Sequence, residues 1–171
     1  MWLTSDRAQA GLQREALLRA EQRATQLSDA LAGQVQALIG GIDVALLQLR
    51  REWRGNADEF DAVARSLIAA LPPGSISHVT VAMAGGDTVY NSLGTADRVN
   101  VADREHFRVQ QQSGADRLHV GKAVQSRLAR NTWTVIVNRP LLQGGRFAGT
   151  MNVSVPTGYF ADRLAALALD E

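Results

Sequence analysis

A proline-free stretch at residues 5–54 constrains the fold of this chain more than any other feature. Its apolar residues recur in steps of three or four, a spacing that keeps them on one face of an α-helix. A helix of about 45 residues is about 70 Å long at a rise of 1.5 Å per residue, which exceeds the width of a small domain. Part of the helix is therefore expected to extend beyond the domain. The residues of the apolar face are Leu27, Leu31, Val35, Leu38, Ile42, Ala45, Leu49 and Trp53.

The apolar stripe at residues 31–49 has two interpretations. Its near-heptad spacing is typical of a coiled-coil-like seam between two copies of a helix. The same stripe is equally suited to pack on the sheet of its own domain. Both interpretations hold together if the N-terminal half of the helix pairs with a second copy and the C-terminal half docks.

After residue 74 the hydrophobic period changes from helical to two, which indicates strands. Five strands are predicted, and glycine-containing turns at 85–87 and 143–145 join two pairs of them as hairpins. Helices are predicted at 57–71, 103–112 and 157–169. The fold class is therefore α+β: a long N-terminal helix and a five-stranded antiparallel sheet with flanking helices. The predicted strands are residues 76–84, 88–93, 118–125, 132–141 and 146–155.

Catalytic and metal-binding patterns are absent from the sequence. It contains no cysteine, which excludes disulfides, thiol nucleophiles and zinc-thiolate sites. It has no phosphate-binding G-x-x-x-x-G-K-[ST] loop, no G-x-S-x-G element and no H-E-x-x-H pair. We therefore predict no catalytic residue, no metal site and no cofactor. An acyltransferase-like α+β enzyme is the weakest alternative, because neither a cofactor loop nor a placed general base is found.

Charge is nearly balanced overall but unevenly distributed. The net charge is +1, and phosphate-driven binding needs a clear basic excess, so a generic nucleic-acid binder is excluded. Residues 98–146 carry a net charge of +6 and the remainder carries −5. The basic block predicts either a surface or pocket that attracts an anion, or a set of solvated loop arginines without a single partner.

Alternation along the predicted strands places polar groups beside apolar ones. Arg139 shares a strand face with Trp133, Val135 and Val137, so its charge requires a partner. That partner is either an internal carboxylate, such as Asp103, or a bound anion. On the last strand the polar residues at 150, 152 and 154 share one face. Its apolar residues Phe147, Met151, Val153 and Val155 are expected toward the other face or at the ends of the strand. The polar stripe lines either a pocket or the solvent side of the sheet.

The segment V-N-V-A-D-R-E-H-F-R at 99–108 contains the pattern D-R-x-x-F at the start of a predicted helix. This segment resembles the D-R-x-x-F helix of extracytoplasmic Cache sensor domains, the PAS-like (PDC) family. The segments G-K-A-V-Q-S-R at 121–127, W-T-V-I-V-N-R-P at 133–140 and G-G-R-F-A-G-T-M-N-V-S-V at 144–155 continue the similarity, which ends at Tyr159-Phe160. The resemblance covers nearly the whole chain and implies a PAS-like sheet.

The resemblance also implies an organisation and a role. Residues 1–54 would be a signalling and dimerisation helix, and residues 55–171 a sensor domain, either a single Cache domain or the membrane-distal half of a double one. Such domains are periplasmic parts of inner-membrane proteins, with anchoring segments that would lie outside this sequence. They signal to a GGDEF diguanylate cyclase, a histidine kinase or a chemoreceptor output. Ligands lie between the sheet and a loop-helix layer, here residues 94–117.

Ligand-binding residues follow from the same resemblance. In amino-acid-binding relatives an R-x-W-Y motif holds the carboxylate, and of the aligned Arg104, His106 and Phe107 only the arginine is kept. The aspartate that holds the amine would fall near Ser154 and is missing, so a carboxylate or other small polar or anionic ligand is expected rather than a generic α-amino acid. The candidate ligand-binding residues are Arg104, Arg139, Asp103, His106, Phe107, Trp133, Tyr90, Asn152 and Ser154.

Structural roles remain open for some of these residues. Asp103 at a helix N-terminus is favoured by the helix dipole alone, and Arg104 can brace that helix against the sheet. Tyr90 and Trp133 suit either a pocket wall or the core. The alternative function is a structural, dimerisation or protein-partner module that binds no small ligand.

Overall fold

The computed structural model describes the backbone of residues 3–169 and the side chains of residues 11–167. The predicted α+β fold is confirmed, and most element boundaries lie within two residues of the expected ones. The helices are α1 (Leu3–Glu52), α2 (Ala57–Ala69), α3 (Glu105–Ser113) and α4 (Thr157–Leu169). The strands are β1 (His78–Met83), β2 (Thr88–Asn91), β3 (His119–Gln125), β4 (Trp133–Gln143) and β5 (Arg146–Pro156).

Helix α1 is divided into an overhanging part and a docked part. Residues 11–26 are exposed to solvent, so the predicted overhang is present. In the docked part, Leu38, Ile42, Leu46 and Leu49 are buried against the sheet. These residues lie three or four positions apart, as the apolar stripe predicted.

The segment Gly11–Glu52 of α1 is long and apolar enough to cross a membrane by length and composition. The sequence contains no uninterrupted apolar run of that length, because polar and charged residues are interspersed along the segment. The apolar side chains of its C-terminal half are used in the core, where Ile42 and Leu46 are fully buried. Packing on the sheet therefore accounts for the apolar composition of the C-terminal half of this segment.

The five strands form one antiparallel sheet in the order β2-β1-β5-β4-β3. Because side chains alternate along each strand, the sheet has two different faces. One face is apolar and packs against α1 and α2 through residues such as Val81, Val137 and Val153. The opposite face carries buried polar side chains, among them Thr80, Asn138 and Asn152. The polar stripe of β5 is therefore on an inner, covered face of the sheet.

A register shift in the β4–β5 pairing changes the face of one predicted residue. Leu141 pairs with Gly149, but Leu142 pairs with Phe147, so one residue of β5 is passed over. Phe147 consequently packs edge-on against Phe107 of α3, with ring centroids 5.4 Å apart. Phe147 therefore lies near the start of β5 and not on the face of Met151, which is one of the two placements that the sequence left open.

Candidate functional site

A cavity of about 50 Å³ lies between the polar face of the sheet and the loop-helix layer that covers it. The cross-strand register explains its floor, because two rows of side chains run across the sheet. One row joins Ile136, Ser154 and His78, and the other joins Asn152 and Thr80. The remaining wall comes from the covering layer and from β3 with the loop after it. These wall residues include Val99, Val101, Arg104, His106, Val124, Gln125, Ser126, Arg127 and Leu128.

A hydrogen-bond chain crosses the floor of the cavity and continues behind it. Asn152 Nδ2 donates to Thr80 Oγ1 at 3.1 Å, and Asn138 Nδ2 donates to Asn152 Oδ1 at 3.1 Å. Gln110 of α3 then donates through Nε2 to Asn138 Oδ1 at 3.1 Å. All four side chains are buried, so each bond is protected from water and is stronger for it.

Two buried histidines at the cavity are held in the neutral form. Burial lowers the pKa of His78 to about 4. Burial also lowers the pKa of His106 to about 4, helped by the nearby positive charge of Arg104. His78 lies between two hydroxyls, with Ser77 Oγ 2.9 Å from Nδ1 and Ser154 Oγ 3.0 Å from Nε2. Near neutral pH these rings therefore provide hydrogen-bonding groups without charge.

Arg104 supplies the positive charge of the cavity. It is the N-cap residue of α3, and its Nη2 donates to Gln125 O at 3.3 Å. Among the described side chains, no carboxylate lies within 4.0 Å of its guanidinium. The positive end of the α3 dipole lies at the same place, so both features favour a negative group there.

Arg127 closes one side of the cavity by holding the covering layer. Its guanidinium binds Asp103 in a bidentate pair at 2.8 and 2.6 Å, and its Nη1 also donates to Asn100 O. The hydrogen bonds from Arg127 lower the pKa of Asp103 to about 2. On the other side, Asn100 Nδ2 donates to Asp87 Oδ1 at 2.8 Å, in the β1–β2 turn. The strap of residues 99–103 is thus attached at both edges.

Acidic residues are absent from the described cavity lining. One hydroxyl of the lining, Thr134 Oγ1, is buried without a hydrogen-bond partner. Buried polar groups in folded proteins are nearly always satisfied, so such a group marks a place where a polar molecule is expected to bind. The lining thus combines hydrogen-bonding groups and positive charge with an apolar wall.

The structure brings together four of the residues predicted to bind ligand and places a fifth beside them. Arg104, His106, Asn152 and Ser154 line the cavity. Asp103 lies next to it as the partner of Arg127. Arg139 is paired with internal carboxylates, the first of its two predicted options, but these are Asp43 and Asp116 rather than Asp103.

The other four predicted residues lie elsewhere. Arg139 faces α1, where Asp43 and Asp116 bind it. Tyr90 packs with Phe60 on the apolar face, with ring centroids 4.9 Å apart, and Trp133 is 55% exposed. Phe107 is fully buried against Phe147. The odd-numbered residues of β4 do share one face, as predicted, but that face is the helix side of the sheet.

Some cavity residues were missed by sequence reasoning. His78 and Thr80 alternate on β1 in the same way as Asn152 and Ser154 on β5, so strand alternation was a usable signal. Arg127 lies in a loop, and no local pattern indicates that its partner is Asp103. Its role depends on tertiary structure.

Solved structures with the same fold are extracellular or sensory domains. The extracellular domain of a protein assigned as a histidine kinase, rpHK1S-Z16, is 27% identical, with a TM-score of 0.76 over 88% of this chain and 63% of that one. The ligand-binding domain of the Pseudomonas aeruginosa amino acid chemoreceptor PctC, solved in complex with GABA, is 12% identical, with a TM-score of 0.66 over 84% and 65%.

The sensory domain of a Campylobacter jejuni chemoreceptor, solved with isoleucine bound, has the same fold at 8% identity, with a TM-score of 0.64 over 82% of this chain and 61% of that one. The chain therefore spans less than two thirds of the length of each of these three structures. No family model and no curated protein matches the sequence.

Proposed function

Because the chain has the fold of the Cache-type extracellular sensor domains of histidine kinases and chemoreceptors, we propose that it is the periplasmic ligand-sensing domain of an inner-membrane signalling protein. The output, a histidine kinase or a diguanylate cyclase, and the membrane anchors belong to this proposal. No enzymatic role is assigned to the segment. Ser154 Oγ lies 3.0 Å from His78 Nε2, but the other ring nitrogen of His78 meets the hydroxyl of Ser77 and not a carboxylate that would orient the ring as a general base.

The ligand that fits the cavity is a small anion. Arg104 supports this choice most directly, since its guanidinium faces the cavity without a carboxylate partner. A second charge, on Arg127, is already compensated by Asp103. The hydroxyl of Thr134, which is buried without a hydrogen-bond partner, can donate to an oxygen of a carboxylate without adding a further charge.

Cavity size limits the ligand further. A water needs about 10–15 Å³ of such space, so about 50 Å³ holds roughly four waters. A monocarboxylate with two to four carbons is about as large as those waters together and would displace them. Its short apolar tail would contact side chains such as Val101 and Ile136. The wall is thus apolar on one side and hydrogen-bonding on the other, as a short carboxylate requires.

An α-amino acid is a poor fit, although two of the solved relatives were crystallised with amino acids or GABA. An ammonium group buried without a negative partner is costly, and the described lining contains no aspartate or glutamate. We therefore place small carboxylates without an amino group ahead of amino acids.

Dimerisation through α1 completes the proposal. Leu27, Leu31 and Val35 continue the apolar stripe of α1 on the N-terminal side of its docked part, share one face of the helix and are only partly buried. Apolar side chains on a projecting helix are typical of a helix-pairing surface. A parallel dimer would bring two sensor domains side by side and pass a change in α1 toward the membrane.

Thermal unfolding in the presence of candidate anions tests the ligand proposal. We expect sodium acetate, propionate, pyruvate or lactate to raise the melting temperature, and glycine, alanine and GABA to raise it less. The Arg104→Ala variant should lose the effect, whereas Arg98→Ala, which removes an exposed arginine of the same layer, should keep it. If no anion raises the melting temperature, the protein is better described as a structural or partner-binding module.

A further inference from the structure

The α3–β3 loop, residues 114–118, connects the cavity to α1 through polar contacts at both of its ends. We propose that this loop is the element that couples occupancy of the cavity to the position of α1, with Asp116 as the contact point. The inference rests on the proposed sensory function and assigns its regulation to named residues.

The first part of the connection is the buried hydrogen-bond chain. Its donors all point the same way, from Gln110 to Asn138, from Asn138 to Asn152, and from Asn152 to Thr80. Asn138 and Asn152 each accept with the amide oxygen and donate with the amide nitrogen, whereas Gln110 only donates and its Oε1 is buried without a partner. A change at the Thr80 end therefore alters the strength of the bonds that follow through the two asparagines. Thr80 ends the chain at the cavity and keeps its own hydroxyl proton for a ligand oxygen.

The second part joins the chain to the loop. The same Gln110 Nε2 donates to Arg117 O at 3.0 Å, next to Asp116 in sequence. Ser113 Oγ lies 3.3 Å from both Gln110 O and Ala115 O, either of which can accept its single proton, and it accepts from Ala115 N at 3.3 Å. The end of α3 and the start of the loop are therefore also held together. The backbone of the loop therefore follows the position of Gln110.

The third part joins the loop to α1. Arg50 of α1 binds both oxygens of Asp116, at 2.7 and 2.8 Å, in a fork geometry that fixes the carboxylate. Arg139 of β4 donates to Asp116 at 3.1 Å and binds Asp43 of α1 with its other nitrogens. Asp43 and Arg50 are seven residues apart, so they lie two turns apart on the same side of α1.

These contacts attach the loop to the hydrogen-bond chain on one side and to α1 on the other. A change in the chain can therefore alter the attachment of α1. A ligand that accepts a hydrogen bond from Thr80 strengthens the chain, holds Arg117 in place and keeps Asp116 in the fork of Arg50. When the chain is weakened, Asp116 is held by fewer contacts and α1 loses part of its attachment to the domain. The ligand thereby shifts the balance between two attachment states of α1.

Hydrogen–deuterium exchange of the whole 171-residue chain tests the coupling without any ligand. Thr80→Val removes the last acceptor of the chain and preserves side-chain shape. We expect it to speed the exchange of α1 amides at residues 43–50 by about fivefold, the factor for one lost hydrogen bond. Thr134→Val, which removes a cavity hydroxyl outside the chain, should leave those amides unchanged.

The double variant separates coupling from general destabilisation. Asp116→Asn alone should speed exchange at residues 43–50, and Thr80→Val should add nothing further in that background. Arg50→Lys, which keeps the charge but loses the fork, should behave like Asp116→Asn. Independent, additive effects of the two substitutions, or no effect of Thr80→Val on α1, would overturn the proposal. Because no ligand is used, a failed anion screen would leave this result standing.

Discussion

Arg139 of β4 binds both carboxylate oxygens of Asp43, a residue of α1 that lies 96 positions earlier in the chain. The pair joins α1 to an inner strand of the sheet, on the face opposite the cavity. Hydrogen bonding to Asp43 raises the pKa of Arg139, so the guanidinium stays charged at any physiological pH. The two faces of the sheet therefore have different roles. One packs against α1, and the other forms the floor of the cavity.

Arg139→Ala should lower the free energy of unfolding by about 2 kcal/mol, because it leaves the partly buried Asp43 without its guanidinium partner and Asp116 with Arg50 alone. Urea denaturation measures the loss. Arg146→Ala at the exposed start of β5 is the matched control and should change stability little. Retention of the anion-induced stabilisation by folded Arg139→Ala is expected, since Arg139 lies outside the cavity lining. Loss of that response, with the fold intact, would contradict this assignment.

Stability should fall as the pH drops from 7 to 5. The pKa values of His78 and His106 are lowered to about 4 by burial, below the ordinary value of 6.5. Between those values the unfolded chain binds protons that the folded chain does not, so unfolding is favoured by acid. Each histidine contributes up to about 1.4 kcal/mol per pH unit within this window.

Chemical denaturation at a series of pH values checks this expectation. His78→Gln keeps a hydrogen-bonding side chain but does not titrate, so its stability should depend less steeply on pH than that of the unaltered protein. The pKa of Asp103, at about 2, lies well below the range. A flat profile between pH 7 and pH 5 would show that the two rings are not buried as neutral groups.

Arg127→Gln should loosen the strap of residues 99–103, because it removes the bidentate pair with Asp103 and weakens the hold on Asn100 O. We expect faster hydrogen exchange in the strap and weaker binding of any anion that the cavity takes. Arg130→Gln, in the same loop, is the control. Global stability should change little, because the Arg127–Asp103 pair is largely exposed. An unaltered strap would mean that the pair does not hold the covering layer.

Gly149→Ala should be strongly destabilising. A Cβ at this position would lie 2.1 Å from the carbonyl oxygen of Ala82 on the neighbouring strand, and its φ of 150° disfavours other residues. The expected loss is about 3 kcal/mol or more, comparable to severe overpacking in a core. Gly85→Ala, whose nearest contact would be 3.9 Å away, is the control. Similar melting temperatures for the two variants would contradict the close strand approach.

Local patterns in the sequence determined the elements of this protein and their order. Helical spacing predicted α1 and its overhang, and alternation predicted five strands, the hairpin turns and the shared polar face of Asn152 and Ser154. These features depend on neighbours a few residues apart, and their physical causes are side-chain periodicity and turn geometry. The uneven distribution of charge also pointed to residues 98–146, the basic block that contains Arg104 and Arg127.

Which face of the sheet each residue meets was decided only by the tertiary structure. Alternation grouped Arg139 with Trp133 and Val137 but left open whether α1 or the covering layer packs on that group. Packing of α1 settled this, because its apolar stripe covers the valine-rich face and brings Asp43 to Arg139. The opposite, polar face is covered by the loop-helix layer, and the cavity lies between the two. Such pairings join residues that are far apart in the sequence, and the local periodicity of a single sequence contains no information about them.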